Sequence, residues 1–272
     1  LVGVAATFAA NAASYGAVIA AIARWRRPPR EGRLPPEDLF GAMRTGLRYV
    51  RHSRPLKLVL IRVAGFVLPG SAVWALLPLY AREQLALGPA GYGVLLGFFG
   101  AGAVAGGLAL PALRRRASAQ RITTVSALGY AAGMFALGAV PSLPVAAAAL
   151  AVAGAGWPAL LTTLNAAAQM TLPAWVRARG LSVYLLVLFG GLALGSAAWG
   201  AAGEAIGVPR TFEVAGVLVA ASRLFVWRLR LPEGDAPDLS PAPRWPDPQL
   251  TGAFEVERGP VLVTVEYEID PA

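Results

Sequence analysis

Apolar runs of about 20 residues, long enough for a helix to cross a hydrocarbon core about 30 Å thick, recur along this chain and set what it can fold into. Seven are readable, at 1–23, 56–80, 90–113, 122–140, 144–170, 181–200 and 209–227. A water-soluble core buries one or two such helices, not seven in succession. A signal peptide would account for the first run alone, and that run lacks a basic leader. Composition points the same way: 56% of the 272 residues are hydrophobic and 14% are charged, against about 25% charged in soluble proteins. The expected fold is an all-α integral membrane bundle.

Lys and Arg collect in cytoplasmic connections, so their distribution gives the orientation. The first connection holds Arg24, Arg26, Arg27, Arg30, Arg33, Arg44, Arg48, Arg51, Arg54 and Lys57. The third holds Arg114, Arg115, Arg116 and Arg121, the fifth Arg177 and Arg179, and Arg228 and Arg230 follow the last run. The alternate connections hold only Arg82 and Arg210. The alternation is complete, and it places the start outside and the tail in the cytoplasm. The formal net charge of +9 thereby becomes a marker of topology. Its excess lies where anionic lipid of the inner leaflet attracts it, and no nucleic-acid partner is expected.

Inside the first connection, Pro35 and Pro36 precede Glu37 and Asp38, a helix start with Asp38 as N-cap. Phe40, Met43, Leu47 and Val50 then share one face while Arg44, Arg48 and Arg51 take another. Two placements fit this amphipathic helix: flat on the membrane, or packed on the cytoplasmic end of the bundle. Beyond Trp227 the composition changes. Six prolines between 231 and 258 mark a semi-extended linker, and Val263, Val265, Tyr267 and Ile269 then alternate with polar residues as in a half-buried strand. A lone strand does not fold by itself, so its sheet partners are expected beyond Ala272 or on another chain. The chain opens on Leu1 inside an apolar run, and it is expected to be a fragment.

Small residues let membrane helices approach closely. Gly93-xxx-Gly97 and Gly102-xxx-Gly106 fall in the third run and Gly191-xxx-Gly195 in the sixth. They fit either static packing or a contact that slides during a transport cycle. Pro69, Pro78 and Pro158 interrupt helices and free carbonyls that are tolerated only beside protein or a water-lined cavity; Pro158 marks a bend in the fifth run. Polar side chains within apolar runs are the candidates for a substrate path. Thr162, Asn165 and Gln169 share a face of the fifth run, Ser71 and Trp74 lie in the second, and Tyr184 in the sixth. Asn11 and Tyr15 fall in the first run; hydrogen bonding between helices is the favoured role for Asn11 and an equal alternative for Asn165. Arg62, about two turns into the second run, reads as snorkelling to the surface. No carboxylate falls at the centre of a run. With no cysteine and only His52 as histidine, no metal centre, cofactor or catalytic constellation is expected, and the chain does not read as an enzyme.

This order of features resembles the latter part of a major facilitator superfamily transporter. On that resemblance residues 1–23 are the last helix of an N-terminal half, 24–54 the basic central loop, and 55–229 a C-terminal six-helix half. A linker at 230–258 and the start of a truncated ferredoxin-like domain at 259–272 complete the chain. The stretch Asn165-xxx-Gln169-xxx-Pro173-xxx-Arg177-Ala-Arg179-Gly180 is similar to the end of helix ten and its loop in the branch of enterobactin exporters and transmembrane secretion effectors. The tail from Gly259 to Pro271 resembles the appended domain of that branch. The superfamily loop motif is echoed by Gly107 to Arg116, but its Asp is absent, which puts a gating role for that loop in doubt. The resemblance implies that helices seven and ten line a central cavity, which favours Ser71, Trp74, Thr162 and Asn165. It also implies alternating-access efflux of siderophores, drugs or similar amphipathic molecules, with the N-terminal half of the same transporter as partner. The rival reading is a membrane-anchored scaffold or sensor whose spans hold a cytoplasmic domain.

Overall fold

The computed structural model describes residues 4–25, 39–173, 175–226 and 231. Among them no strand occurs. The helices are α1 (Val4–Arg24), α2 (Leu39–His52), α3 (Arg54–Gly70), α4 (Ala72–Glu83), α5 (Pro89–Arg116), α6 (Ala119–Ala139), α7 (Leu143–Met170), α8 (Arg177–Ile206) and α9 (Val208–Val226). Their ends follow from local chemistry. Ser53 and Ser118 cap α3 and α6 by accepting the N–H groups of Leu56 and Arg121, and proline sits in the first turn of α3, α5 and α7, where a missing N–H is harmless. Gly207, at φ 83°, turns the chain between α8 and α9 in a conformation that side chains with a Cβ avoid.

Among the described residues five segments are long and apolar enough to cross a membrane: Arg54–Glu83 (α3 with α4), α5, α6, α7 and α8. The helices at the first and last expected runs, α1 and α9, are not among the five. Arg210, Glu213 and Arg223 interrupt the apolar character of α9. The linker from 232 onward, the strand at 261–269 and the loop at 26–38 lie outside the described residues.

Helix α7 packs against α3, α5, α6 and α8, while α9 packs on α6 and α3. Helix α1 contributes little to this packing, since its described side chains are exposed almost throughout. The seam between α5 and α7 is made backbone to backbone. Gly102 and Gly106 lie on the Ala151 and Ala155 main chain, and Gly154 lies reciprocally on that of Phe99, with no room for a Cβ at any of the three. The α8–α3 contact is similar: Gly191 meets Val67, and Gly195 meets Leu68 and Ser71. Gly93 and Gly97 differ from the sequence expectation. Nothing from another element lies within 4 Å of where their Cβ atoms would be, because that face of α5 is turned away from its neighbours.

Helix α2 packs on the start of α8. Gly46 faces Arg179 Cβ, the Tyr49 hydroxyl donates to the Thr171 carbonyl at 3.0 Å, and the Tyr49 ring stands edge-on to Trp175. Val50 is buried and Leu47 exposed; the Phe40 and Met43 side chains lie outside the description. These contacts realise the second of the two placements, on the end of the bundle.

Candidate functional site

Pro69 has no N–H to donate, so α3 loses a rung of its ladder and the helix gives way at Ser71 before α4 resumes. Polar side chains take up the carbonyls around this break. The Leu68 carbonyl accepts from Ser71 Oγ at 2.8 Å and from Trp199 Nε1 of α8 at 2.7 Å. The Gly70 carbonyl accepts from the buried Tyr130 hydroxyl of α6 at 2.8 Å. Irregular backbone at membrane depth requires such partners, and here they tie α6 and α8 to one point of the α3–α4 segment. Rings close around it. Phe66, Tyr130 and Trp157 pack together with centroids 5.2–5.5 Å apart, and Trp74 joins Trp157 and Phe99 at 5.7 and 5.1 Å. Ser71 is fully buried, its hydroxyl given to Leu68, whereas Trp74 is 43% exposed at the edge of the cluster. By contrast, α4 and α7 run on through Pro78 and Pro158 without interruption.

The other four polar candidates converge elsewhere. Thr162, Asn165, Gln169 and Tyr184 line one open cavity of about 400 Å³ between α7 and α8, joined by Arg114 from the last turn of α5. The four-residue spacing of Asn165 and Gln169 puts them on one helix face, where Gln169 Nε2 donates to Asn165 Oδ1 at 2.6 Å. The Tyr184 hydroxyl donates to the Leu161 carbonyl at 3.3 Å and also reaches Asn165. Thr162 turns its hydroxyl back onto the Pro158 carbonyl at 2.6 Å. Two amides, two hydroxyls and a guanidinium thus share a cavity with apolar walls, able to orient the polar end of an amphipathic molecule. Nearby, Arg177 Nε donates to the Leu172 carbonyl at 3.3 Å and steadies the α7–α8 turn, and Arg179 abuts Gly46.

The structure thus brings Thr162, Asn165, Gln169 and Tyr184 together and sets Ser71 and Trp74 apart at the helix break. Sequence reasoning passed over Arg114, Tyr130, Trp157 and Trp199. For the last three a signal existed, since a Tyr or Trp within an apolar run carries a polar tip that needs a partner when buried. Arg114 had none: nothing in its spacing ties the end of α5 to the face of α7.

Membrane-length helices in series, backbone-to-backbone glycine seams and a proline-broken helix with its carbonyls re-satisfied define a multi-pass membrane protein. More narrowly, the family model described as transmembrane secretion effector, of the major facilitator superfamily, matches residues 1–272, and the chain belongs to this family. No curated protein and no solved structure matches it significantly.

Proposed function

We propose that this chain supplies the C-terminal bundle of an alternating-access exporter for small amphipathic molecules such as siderophores or drugs. In this reading it sits in a bacterial inner membrane with its basic end in the cytoplasm. The observation that carries the reading is the cavity in which Thr162, Asn165, Gln169 and Tyr184 converge with Arg114. A second helix bundle, expected from the N-terminal half of the same transporter, faces this surface. The exposure of α5 and α8 supports this arrangement: only 22% and 17% of their apolar windows are buried, against 44–56% for the other three spans. The glycine seams let helices shift against one another, and rocking of one bundle on the other exposes the cavity to each side in turn. The test is extrusion of a panel of amphipathic dyes and siderophores by cells expressing the intact transporter. Extrusion should fall on deletion, and on replacing Asn165 or Gln169 by alanine at unchanged protein level. Extrusion indifferent to all three changes would overturn the assignment.

A further inference from the structure

Between α6 and α9 lies a groove that the transport reading leaves unused. It is an open cavity of about 750 Å³. Its walls are Val125, Leu128, Val217 and Leu224, each 46–72% exposed, so the groove opens sideways onto whatever solvates the bundle. One end is different in kind. Arg121 and Gln120 reach it from the first turn of α6 and Arg223 from α9. Arg223 is only 5% exposed, and its Nη1 has no hydrogen-bond partner among the described residues; the same holds for the buried Gln120 Oε1. Among the described residues, Arg223 Nε and Nη2 both donate to the Ser222 hydroxyl, each at 3.2 Å.

A buried guanidinium is costly without an anion, and the described residues offer none here. Their carboxylates are Glu83, Glu204 and Glu213, and none of them lines the groove. Glu213 lies ten residues earlier on α9, about 15 Å along the helix. The positive end of the α6 dipole adds to the field at the same spot. We infer that the groove binds an anionic phospholipid of the cytoplasmic leaflet. The phosphate sits between Arg223, Arg121 and the α6 N-terminus, and an acyl chain lies along Val125, Leu128 and Val217. Gln120 Oε1, an acceptor without a donor, fits a headgroup that carries a hydroxyl. The apolar walls select a lipid over a free anion, which would leave them unused.

The test uses the intact protein, purified, delipidated and titrated with phosphatidylglycerol or phosphatidylcholine, with bound lipid counted by native mass spectrometry. Phosphatidylglycerol should bind at least tenfold more tightly than phosphatidylcholine. Arg121→Gln, at an exposed position, should weaken it about fivefold, the equivalent of about 1 kcal/mol per basic residue near a lipid phosphate. Ala221→Phe fills the groove without touching a charge and should abolish the preference. Arg223→Gln should do the same, and if it fails to fold the other two variants still decide. Equal binding of the two lipids overturns the proposal. So does a preference that survives both Arg121→Gln and Ala221→Phe, or glycerol phosphate competing as strongly as the lipid, which would mark a plain anion site.

Discussion

Gly102→Ala sets a single methyl group against the α5–α7 seam. The new Cβ would press on the Ala151 carbonyl oxygen and lie 2.7 Å from its carbon and 2.9 Å from the Ala151 Cα, where carbon atoms settle at about 3.5–4.0 Å. The obstacle is helix backbone, so no rotamer relieves it, and α5 must withdraw from α7 by roughly 1 Å. Overpacking of this kind costs about 1–3 kcal/mol. Gly97→Ala is the matched control, on the same helix with open space at its Cβ. Both substitutions gain the same helix propensity, about 1 kcal/mol, so the difference between them isolates the steric cost. At about 2–4 °C per kcal/mol for a domain of this size, Gly102→Ala should unfold roughly 2–12 °C below Gly97→Ala. Thermal unfolding in mild detergent, followed by tryptophan fluorescence, measures this. Equal midpoints for the two variants would refute the seam. Gly154→Ala should behave like Gly102→Ala, and the double variant should cost less than the sum, since one separation of the helices accommodates both methyls.

Other expectations follow from named contacts. Trp199→Phe and Tyr130→Phe each remove one donor from the α3–α4 break and should each cost about 0.6–1.7 kcal/mol in the same unfolding assay; no loss in either would mean that the Leu68 and Gly70 carbonyls do not depend on them. Tyr49→Phe removes the bond to Thr171 and Gly46→Leu collides with Arg179, so both should raise proteolysis of α2, the second more strongly; unchanged cleavage would place α2 away from the bundle. Tyr184 is buried and its hydroxyl donates to the Leu161 carbonyl, so Tyr184→Phe should lower transport and cost about 0.5–1.5 kcal/mol of stability; a loss of stability with normal transport would make it a packing residue.

Much of the fold was legible because a membrane span is written in one dimension. Twenty apolar residues bounded by arginine identify a helix wherever it packs, so α5, α6, α7 and α8 fall where the apolar runs do. Pairing is not written this way. Gly97 and Gly102 look alike in sequence, and only the fold reveals that one lies on the Ala151 backbone and the other in open space. Nor does α9, 19 residues long, reach the apolarity of the five spans, because Arg210, Glu213 and Arg223 tell against it, although it packs closely on α6. The cavity was half legible. Asn165 and Gln169 share a face by periodicity alone, and Tyr184 drew notice as a polar group in an apolar run. Arg114 joins them only through tertiary packing, and the Trp199–Leu68 bond spans 131 residues.

The most direct measurement exploits a chain free of cysteine. With Asn165→Cys in the intact transporter, reaction with a membrane-impermeant maleimide can be followed in inside-out vesicles, with and without an extruded dye. The thiol should react from the cytoplasmic side, and the dye should slow the reaction severalfold. A thiol that never meets the aqueous reagent, or that reacts at one rate whether or not the dye is present, would contradict the proposed function.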